Sequence, residues 1–204
     1  MELSRVCVFC GSSIGARPAY ADVAASLGRE LAARGIGLVY GGAGVGLMRV
    51  VAEACRTAGG SVTGVIPESL VEAEVADRDV DDLRIVGSMH ERKALMADLA
   101  AGFVALPGGF GTFEEFCEAI TWSQLGLHVP AKPCALVDAE GFYSPLLELF
   151  ARGVAEGFIR PEHSRLVLAA PDPAAALDAL VAWEPPPPTR KWVDDAVAPD
   201  RDPA

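Results

Sequence analysis

A chain of 204 residues, 51% of them hydrophobic, is long enough for one domain with a substantial core. The net charge of −11 argues against general nucleic-acid binding, but it is compatible with a local pocket for a small anion. No apolar run reaches membrane-spanning length, and no signal peptide precedes the first strand pattern. An odd number of cysteines, five, predicts reduced thiols and a cytoplasmic protein.

Short apolar runs alternate with helical patterns along most of the chain. The predicted strands are residues 5–10, 36–40, 61–66, 83–86, 103–106, 134–137 and 166–168. The predicted helices are residues 18–34, 45–58, 89–101, 114–127, 144–156 and 172–182. This alternation predicts a Rossmann-like, doubly wound α/β fold, in which a parallel sheet of about seven strands carries helices on both faces.

The chain divides into a single Rossmann-like domain, residues 1–183, and a short tail, residues 184–204. Four consecutive prolines begin at Pro185 and the rest of the tail is polar and acidic, which predicts a flexible arm. Within the domain, residues 67–82 form a long acidic connection that suits either a short helix or a loop.

Three turns rich in glycine or serine follow the first, second and fifth predicted strands, at residues 11–13, 41–46 and 107–112. Ligands of open α/β sheets bind at the carboxyl ends of the strands, and a glycine turn that opens a helix favours an anion. Together the turns predict a pocket for a phosphorylated ligand. The second turn is neither a Walker A loop nor a good dinucleotide fingerprint, so a mononucleotide fits better than NAD.

The third turn runs directly into a helix pattern, and it has two interpretations. Thr112 can add a hydroxyl group to an anion site, and Glu115 places a carboxylate one turn inside the helix. The same two residues also match a T-x-x-E capping box, in which Glu115 would only bond back to the Thr112 backbone. Taken alone, the segment leaves the catalytic and structural interpretations equally open.

A second unusual segment begins at Ser88, which forms a predicted capping box with Glu91. Arg92 and Lys93 follow near the start of that helix, where the macrodipole disfavours cations. Their position favours an anion or a carboxylate beside them. The alternative is two solvated basic residues on an exposed face, and His90 is expected at the surface or in packing.

No metal site is predicted, because His128 and His163 lack partners at ligand spacing. Cys7 and Cys10 have C-x-x-C spacing, but they lie along one strand without a second pair. This arrangement favours core packing over redox or metal chemistry.

Residues 107–115 resemble the P-G-G-x-G-T-x-x-E signature of the Lonely Guy (LOG) family, the cytokinin riboside 5′-monophosphate phosphoribohydrolases often mislabelled as lysine decarboxylases. The similarity covers about residues 5–182 and includes, in order, residues 11–13, 40–42, 46–48, 89–94 and 120–122. It implies hydrolysis of N6-substituted AMP to free base and ribose 5-phosphate, with no cofactor. It also implies a homodimer with sites near the subunit interface. Ala43 and Arg49 depart from the family, which usually has glycine at both positions.

By the same matching, Arg92 and Glu115 take the catalytic positions. The positions matched to substrate and phosphate binding are Ser12, Ser13, Gly42, Glu74, Met89, Lys93, Gly109, Phe110, Gly111, Thr112 and Thr121. Cleavage of a ribosyl C–N bond builds positive charge on the sugar, which a carboxylate such as Glu115 can stabilise. Only one carboxylate is assigned, so the group that protonates the departing base stays open.

Two other functions stay open. One is a general nucleotide 5′-monophosphate nucleosidase, and the other is a carrier of a nucleotide or of the molybdenum cofactor that does no hydrolysis. Arg92 and Glu115 together favour an enzyme, because a carrier gains little from a carboxylate beside a bound phosphate. A pyridoxal-dependent decarboxylase is disfavoured, since it needs a Schiff-base lysine and the chain has only Lys93, Lys132 and Lys191.

Overall fold

The computed structural model describes residues 3–71, 73, 76–128 and 130–186. Seven strands of this part form one sheet: β1 (Arg5–Phe9), β2 (Gly37–Tyr40), β3 (Val62–Pro67), β4 (Asp82–Val86), β5 (Gly102–Ala105), β6 (Cys134–Val137) and β7 (Val167–Ala170). The α-helices are α1 (Pro18–Ala33), α2 (Gly46–Thr57), α3 (Glu68–Val71), α4 (Met89–Leu99), α5 (Phe110–Gln124), α6 (Ser144–Ala155) and α7 (Pro173–Ala182). The predicted doubly wound α/β fold is confirmed.

The strand order explains where a ligand site is expected. The order is β4-β3-β2-β1-β5-β6-β7, and every neighbouring pair is parallel. From β1 the chain builds out to β4, then returns to add β5 to β7 on the other side of β1. The direction reverses between β1 and β5, where Phe9 lies beside Ala105. Ligands of such sheets bind beyond the carboxyl ends of the strands at this switch point.

Helices cover both faces of the sheet. Residues of α1, α2 and α7 form one core cluster with one face, and residues of α4 and α5 form the second cluster with the other. Side chains of β1 alternate between them, so that Val6 and Val8 join the first cluster, and Cys7 and Phe9 join the second. Cys10 belongs to the first cluster, opposite Cys7, and both cysteines are buried and free, which confirms their predicted packing role.

The start of α5 differs from the prediction. The helix begins at Phe110 rather than at residue 114, because the glycine-rich segment supplies its first turn and not only a loop. One glycine inside a helix costs about 1 kcal/mol relative to alanine. That cost is small beside the burial of Phe116 and Ala119, the residues through which α5 packs on the sheet.

The acidic connection after β3 contains the short helix α3, which settles its predicted alternatives in favour of a helix followed by a loop. The Asp77 N–H donates to the Gly42 carbonyl over 3.0 Å, and Ala76 forms a bridge with Ala43. The Tyr40 hydroxyl donates to the Asp77 carboxylate over 3.0 Å. These contacts hold the end of the connection against the turn that follows β2.

Within the described ranges, no helix is long and apolar enough to cross a membrane. The predicted tail falls almost wholly on residues 187–204, outside the described residues. The division into a domain, 1–183, and a tail, 184–204, therefore stays a prediction.

Candidate active site

The three glycine-rich turns meet at the carboxyl edge of the sheet, as their positions after β1, β2 and β5 predict. The Gly11 N–H donates to the Pro107 carbonyl over 3.1 Å, which joins the first turn to the third. The Leu47 N–H donates to the Gly11 carbonyl over 3.0 Å, which joins the second turn to the first. A continuous backbone surface therefore lies beyond β1 and β5, where a phosphorylated ligand is expected.

Close packing of backbone explains glycine at two positions in these turns. Gly46 has a φ of 58°, and a Cβ atom there would collide with the backbone of Ser12. A Cβ atom on Gly108 would collide with the Thr112 side chain and approach the Gly11 nitrogen. Glycine at these two positions is needed to bring the turns together.

The first turn of α5 has the features of an anion site. Its N-cap is Gly109, which has no side chain to accept a hydrogen bond from the first turn. A Cβ atom on Gly109 or Gly111 would meet no atom within 4 Å, and neither residue has a positive φ. The fold itself does not require glycine there. Glycine instead leaves room for a ligand at the positive end of the helix.

The capping-box interpretation of Thr112 and Glu115 is wrong. Thr112 is the third residue of α5 and is buried, because the helix already begins at Phe110. The Phe113 N–H donates to the Gly109 carbonyl as part of the helix. Glu115 is therefore a helical residue more than one turn from the N-cap, and its side chain is half-buried.

The capping box at Ser88, by contrast, is confirmed. The Ser88 hydroxyl accepts a hydrogen bond from the Glu91 N–H over 3.1 Å, and the Glu91 carboxylate accepts one from the Gly87 N–H over 2.9 Å. This cap places Arg92 and Lys93 at the start of α4, facing β3 and α5.

Arg92 is buried, with 6% of its surface exposed, so the solvated interpretation is wrong for this residue. Its Nε donates to the Val65 carbonyl over 3.1 Å, and its Nη2 donates to the Gly41 carbonyl over 2.8 Å. A Cβ atom on Gly41 would collide with the guanidinium group. The glycine after β2 thus makes room for this cation at the ends of β2 and β3.

Arg92 and Glu115 act electrostatically on the same buried thiol. Burial is the main cause that raises the pKa of Cys10, the negative charge of Glu115 raises it further, and the positive charge of Arg92 lowers it. Both charged groups therefore lie near the residue that follows β1. The two residues that the resemblance matches to catalysis thus both lie within electrostatic range of Cys10.

Lys93 links α4 to α5 through two carboxylates. Its Nζ lies 2.5 Å from Glu114 Oε1 and 3.0 Å from Glu118 Oε2, and only 12% of its side chain is exposed. Burial alone would lower the pKa of Lys93, but the hydrogen bonds to Glu114 and Glu118 raise it above its ordinary value. The sequence predicted an anion or a carboxylate beside Lys93, and the structure supplies two carboxylates. The sequence did not show that Glu114 and Glu118 provide them.

Other matched residues surround this edge. Gly42 is buried with a φ of 73°, Ser12 and Ser13 are exposed, and Phe110 is 92% exposed. Met89 is partly exposed, and its sulfur accepts a hydrogen bond from Arg92 Nη1 over 3.8 Å. Glu74 lies outside the described residues.

Thr121 lies further along α5 than the glycine-rich turn, and its role in substrate binding stays a prediction. Its hydroxyl donates to the Cys117 carbonyl over 2.7 Å, and its side chain is exposed. Nine residues of helix, with a rise of about 1.5 Å each, place it roughly 14 Å along α5 from Thr112.

The two departures from the family pattern are accommodated without strain. Ala43 is fully buried and its φ is not positive, so the second turn does not require glycine there. Arg49 is exposed on α2 and pairs with Glu53 over 3.5 Å.

Among the described residues, no group of three or more histidine, cysteine or acidic side chains could hold a metal ion. His90 is exposed, whereas His128 and His163 are buried. His128 lines a small cavity between α4 and α5, together with Lys93, Glu115, Glu118 and Trp122. Sequence reasoning missed this placement, because no motif marks His128 and its position depends on how the chain turns after α5.

Comparisons with known proteins cover the segments that form this site. Residues 48–180 match the family model described as "Possible lysine decarboxylase". The "Probable cytokinin riboside 5'-monophosphate phosphoribohydrolase LOGL9" of Oryza sativa subsp. japonica is 52% identical over 181 residues, which cover 89% of this chain and 79% of that protein. The "Cytokinin riboside 5'-monophosphate phosphoribohydrolase LOG7" of Arabidopsis thaliana is 46% identical over 90% of this chain and 84% of that protein. The chain belongs to the LOG family.

Solved structures extend this LOG fold to more distant proteins. The molybdenum cofactor carrier protein of Chlamydomonas reinhardtii matches with a TM-score of 0.66 and 23% identity, over 88% of this chain and 97% of that chain. The molybdenum cofactor binding protein of Rippkaea orientalis matches with a TM-score of 0.65 and 23% identity, over 87% of this chain and 95% of that chain. At this identity the likeness shows a shared fold and says nothing of a shared ligand.

Proposed function

We propose that this protein hydrolyses the N-glycosidic bond of N6-substituted AMP, or of AMP, and releases the free base and ribose 5-phosphate. The observation that carries the proposal is the position of Glu115 on α5, beyond a first turn with room for an anion. Its charge and that of the buried Arg92 both act on Cys10. The names of LOG relatives at 46–52% identity support the same reaction.

The 5′-phosphate is assigned to the first turn of α5. Backbone N–H groups at a helix start attract an anion, and a favourable charge there contributes about 0.3–1 kcal/mol. Gly109 and Gly111 leave the space that phosphate oxygens need, and Thr112 is the next residue in the turn. Binding energy from the phosphate then positions the ribose for reaction at a distance from the phosphate itself.

Glu115 is assigned the chemistry at the ribose. As the C1′–N bond breaks, positive charge develops on the sugar, and an ionised carboxylate stabilises it or removes a proton from the attacking water. A new C1′–O bond forms from that water, and the base leaves with the electron pair of the broken bond and takes up a proton.

The description of the family model suggests a different chemistry, which the lysines do not fit. A pyridoxal cofactor needs a lysine free to form a Schiff base. Lys93 is paired with two carboxylates, and Lys132 Nζ donates to the Ala97 carbonyl over 2.7 Å. Lys191 lies outside the described residues.

A homodimer is part of the proposal. Several large apolar side chains at or next to α5 and α6 are exposed: Phe110, Leu125, Leu127, Leu149 and Phe158. An apolar cavity of about 240 Å³ also opens between these helices. Such surfaces typically mark interfaces, and a partner that covers α5 can bring its Thr121 near the other subunit's site.

The five free cysteines support a reducing, cytoplasmic setting.

The proposal is tested by base release from AMP, isopentenyl-AMP, CMP and adenosine, measured by chromatography. We expect release from the two adenine nucleotides and much less from adenosine, which lacks the phosphate. Comparable release from CMP would indicate a general nucleotide nucleosidase. Tight binding of all three nucleotides without release of any base would overturn the enzyme assignment and favour a carrier.

A further inference from the structure

Tyr143 is a buried tyrosine whose hydroxyl group holds the start of the third glycine-rich turn. Its side chain is 1% exposed, and its Oη donates to the Leu106 carbonyl over 2.6 Å. Leu106 directly follows β5 and precedes Pro107, where the turn begins. Tyr143 lies 37 positions further along the chain, so this bond exists only in the assembled fold.

The hydroxyl group is a donor at every physiological pH. Burial is the main cause that raises the pKa of Tyr143 above its ordinary value, so the group keeps its proton. The Leu106 carbonyl can only accept, which fixes the direction of the bond. Leu106 is fully buried, and a buried carbonyl that loses its donor is costly, so the bond restrains Leu106 where it lies.

The connection between β6 and α6 holds Tyr143 itself in place. Asp138, the residue after β6, donates its N–H to the Ala170 carbonyl of β7 over 2.8 Å. Its carboxylate accepts hydrogen bonds from the Tyr143 N–H and from the Ser144 hydroxyl. Glu140 has a φ of 55°, the one positive φ of a non-glycine residue in the part of the chain that the structure describes. Such a conformation persists only where the surrounding contacts enforce it, so the connection is a firm support.

The ring of Tyr143 contacts the first turn of α5. It meets Phe113 edge-on at a centroid distance of 6.3 Å and Phe142 edge-on at 4.9 Å. Phe142 stacks on Phe113 at 6.2 Å and meets Tyr20 of α1 edge-on at 5.9 Å. Aromatic pairs in these arrangements stabilise a fold beyond the burial of their area, so the four rings tie α5 to the β6–α6 connection and to α1.

Tyr143 therefore contacts the residues on both sides of the segment 107–112, Leu106 through its hydroxyl and Phe113 through its ring. Half of that segment is glycine, which has no side chain to hold the backbone by packing and allows many backbone conformations. Contacts at its two ends restrict the conformations that its N–H groups can adopt.

We propose that Tyr143 is a positioning residue for the phosphate site, because its hydroxyl and its ring keep the backbone of residues 107–112 in the arrangement that binds a phosphate group. Tyr143 is buried, so it acts through the turn and not on the substrate. This role rests on the proposed function, which assigns the 5′-phosphate to the first turn of α5.

Tyr143→Phe isolates the hydroxyl group. The variant keeps the ring that fills the core and contacts Phe113 and Phe142, but it leaves the Leu106 carbonyl without this donor. Tyr20→Phe is the matched control, because it also removes one hydroxyl from a ring of the same aromatic group. Ribose 5-phosphate and adenosine are the matched ligands, since both contain a ribose and only the first contains a phosphate.

We expect the dissociation constant of ribose 5-phosphate, measured by titration calorimetry, to rise about tenfold in Tyr143→Phe, a change of about 1.4 kcal/mol. A typical intramolecular hydrogen bond contributes on this order. The dissociation constant of adenosine should stay nearly constant. In the base-release assay, KM for AMP should rise by a similar factor with kcat nearly constant, and Tyr20→Phe should match the wild type throughout.

An unchanged dissociation constant of ribose 5-phosphate in Tyr143→Phe would overturn the positioning role. An equal loss of affinity for adenosine, or an equal effect in Tyr20→Phe, would overturn it as well, since either would indicate a general loosening of the fold. A wild type that binds ribose 5-phosphate but releases no base from AMP would contradict the proposed hydrolysis alone, and the two affinities would still decide the role of Tyr143. A wild type that does not bind ribose 5-phosphate would overturn the phosphate assignment and the positioning role together.

Discussion

Arg92 joins two strands through their backbone carbonyls. Its donors reach Val65 of β3 and Gly41, the residue after β2, and these lie 27 and 51 positions away in the chain. A lysine at this position carries the same charge but lacks the planar fork that serves two carbonyls at once. The stability of this edge of the sheet therefore depends on the guanidinium geometry as well as on its charge.

We predict that Arg92→Lys lowers the free energy of unfolding by about 1–3 kcal/mol, the cost of one buried carbonyl left without a donor. Base release should fall as well, since the cation moves relative to Glu115. Urea unfolding measures the first effect. Arg49→Lys is the control, because Arg49 is exposed and its change should stay within about 0.5 kcal/mol. Equal stability of Arg92→Lys and the wild type would contradict this account.

His128 makes stability depend on pH in a defined window. Its pKa is lowered from 6.5 to about 4 in the folded state, mainly by burial. Between these values the unfolded chain binds a proton that the folded protein does not, so stability falls as the pH falls. Above pH 6.5 both states are neutral at this residue and the effect disappears.

We predict that the free energy of unfolding falls by up to about 1.4 kcal/mol per pH unit through this window because of His128 alone. Urea unfolding of the wild type and of His128→Phe at several pH values measures the difference in slope. His128→Phe should lose this part of the acid sensitivity. Identical slopes for the two proteins would show that His128 is not held neutral by burial.

At the scale of a single helix, the first turn of α5 contains a glycine that the proposed ligand site requires but the stability of the fold does not. Gly111 has no positive φ, and a Cβ atom there would meet no other atom of the fold within 4 Å. Gly46, at the start of α2, differs in both respects: its φ is 58°, and a Cβ atom there would collide with the Ser12 backbone. The two glycines therefore have different reasons to be glycine.

We predict that Gly111→Ala is as stable as the wild type, or more stable by about 0.4–1 kcal/mol because the unfolded chain is less flexible. Its KM for AMP should rise about tenfold, because the new methyl group enters the space assigned to phosphate. Gly46→Ala should instead lose stability. Thermal unfolding and steady-state kinetics distinguish them, and an unchanged KM in Gly111→Ala would place the phosphate elsewhere.

Helices and strands were predictable from the sequence where a local residue pattern determines their position. The apolar run of β5 and the Ser88 cap of α4 are both local, and the structure confirms them. The start of α5 was predicted too late, because Gly109 and Gly111 have low helix propensity while the packing of Phe116 decides the outcome. The capping box predicted from the T-x-x-E pattern at Thr112 is wrong for the same reason, because α5 begins before Thr112.

At the scale of the whole molecule, the exposed apolar side chains of α5 and α6 predict a dimer. Thr121 offers a sharper test, because in the proposed dimer this exposed residue of α5 serves the partner's site. We expect sedimentation equilibrium to give twice the mass of the chain. We also expect an equal mixture of Glu115→Gln and Thr121→Val, after subunit exchange, to recover about a quarter of wild-type activity.

That recovery arises because half of the exchanged dimers are mixed, and each mixed dimer holds one intact site. No recovery in a mixture that does exchange subunits would show that Thr121 does not act across the interface. A monomeric wild type would contradict the dimer directly.

The meeting of the glycine turns was predictable, because parallel strands deliver their carboxyl ends to one edge and the turns follow β1, β2 and β5. The burial of Arg92 was not, since its acceptors are backbone carbonyls that any sequence possesses. The Lys93 partners, Glu114 and Glu118, needed the packing of α4 against α5. Residue types at motif positions are local information, whereas these contacts depend on the assembled fold.

The central claim is that the Glu115 carboxylate carries the reaction. The most direct test is base release from AMP and isopentenyl-AMP by the wild type and Glu115→Gln, with melting temperatures alongside. Glutamine has nearly the same shape and suits a helix, so the substitution removes mainly the charge. We predict that base release falls by about 10²–10⁴, the usual contribution of a positioned acid or base, while Tm changes by less than about 4 °C. Full activity in Glu115→Gln would contradict the account.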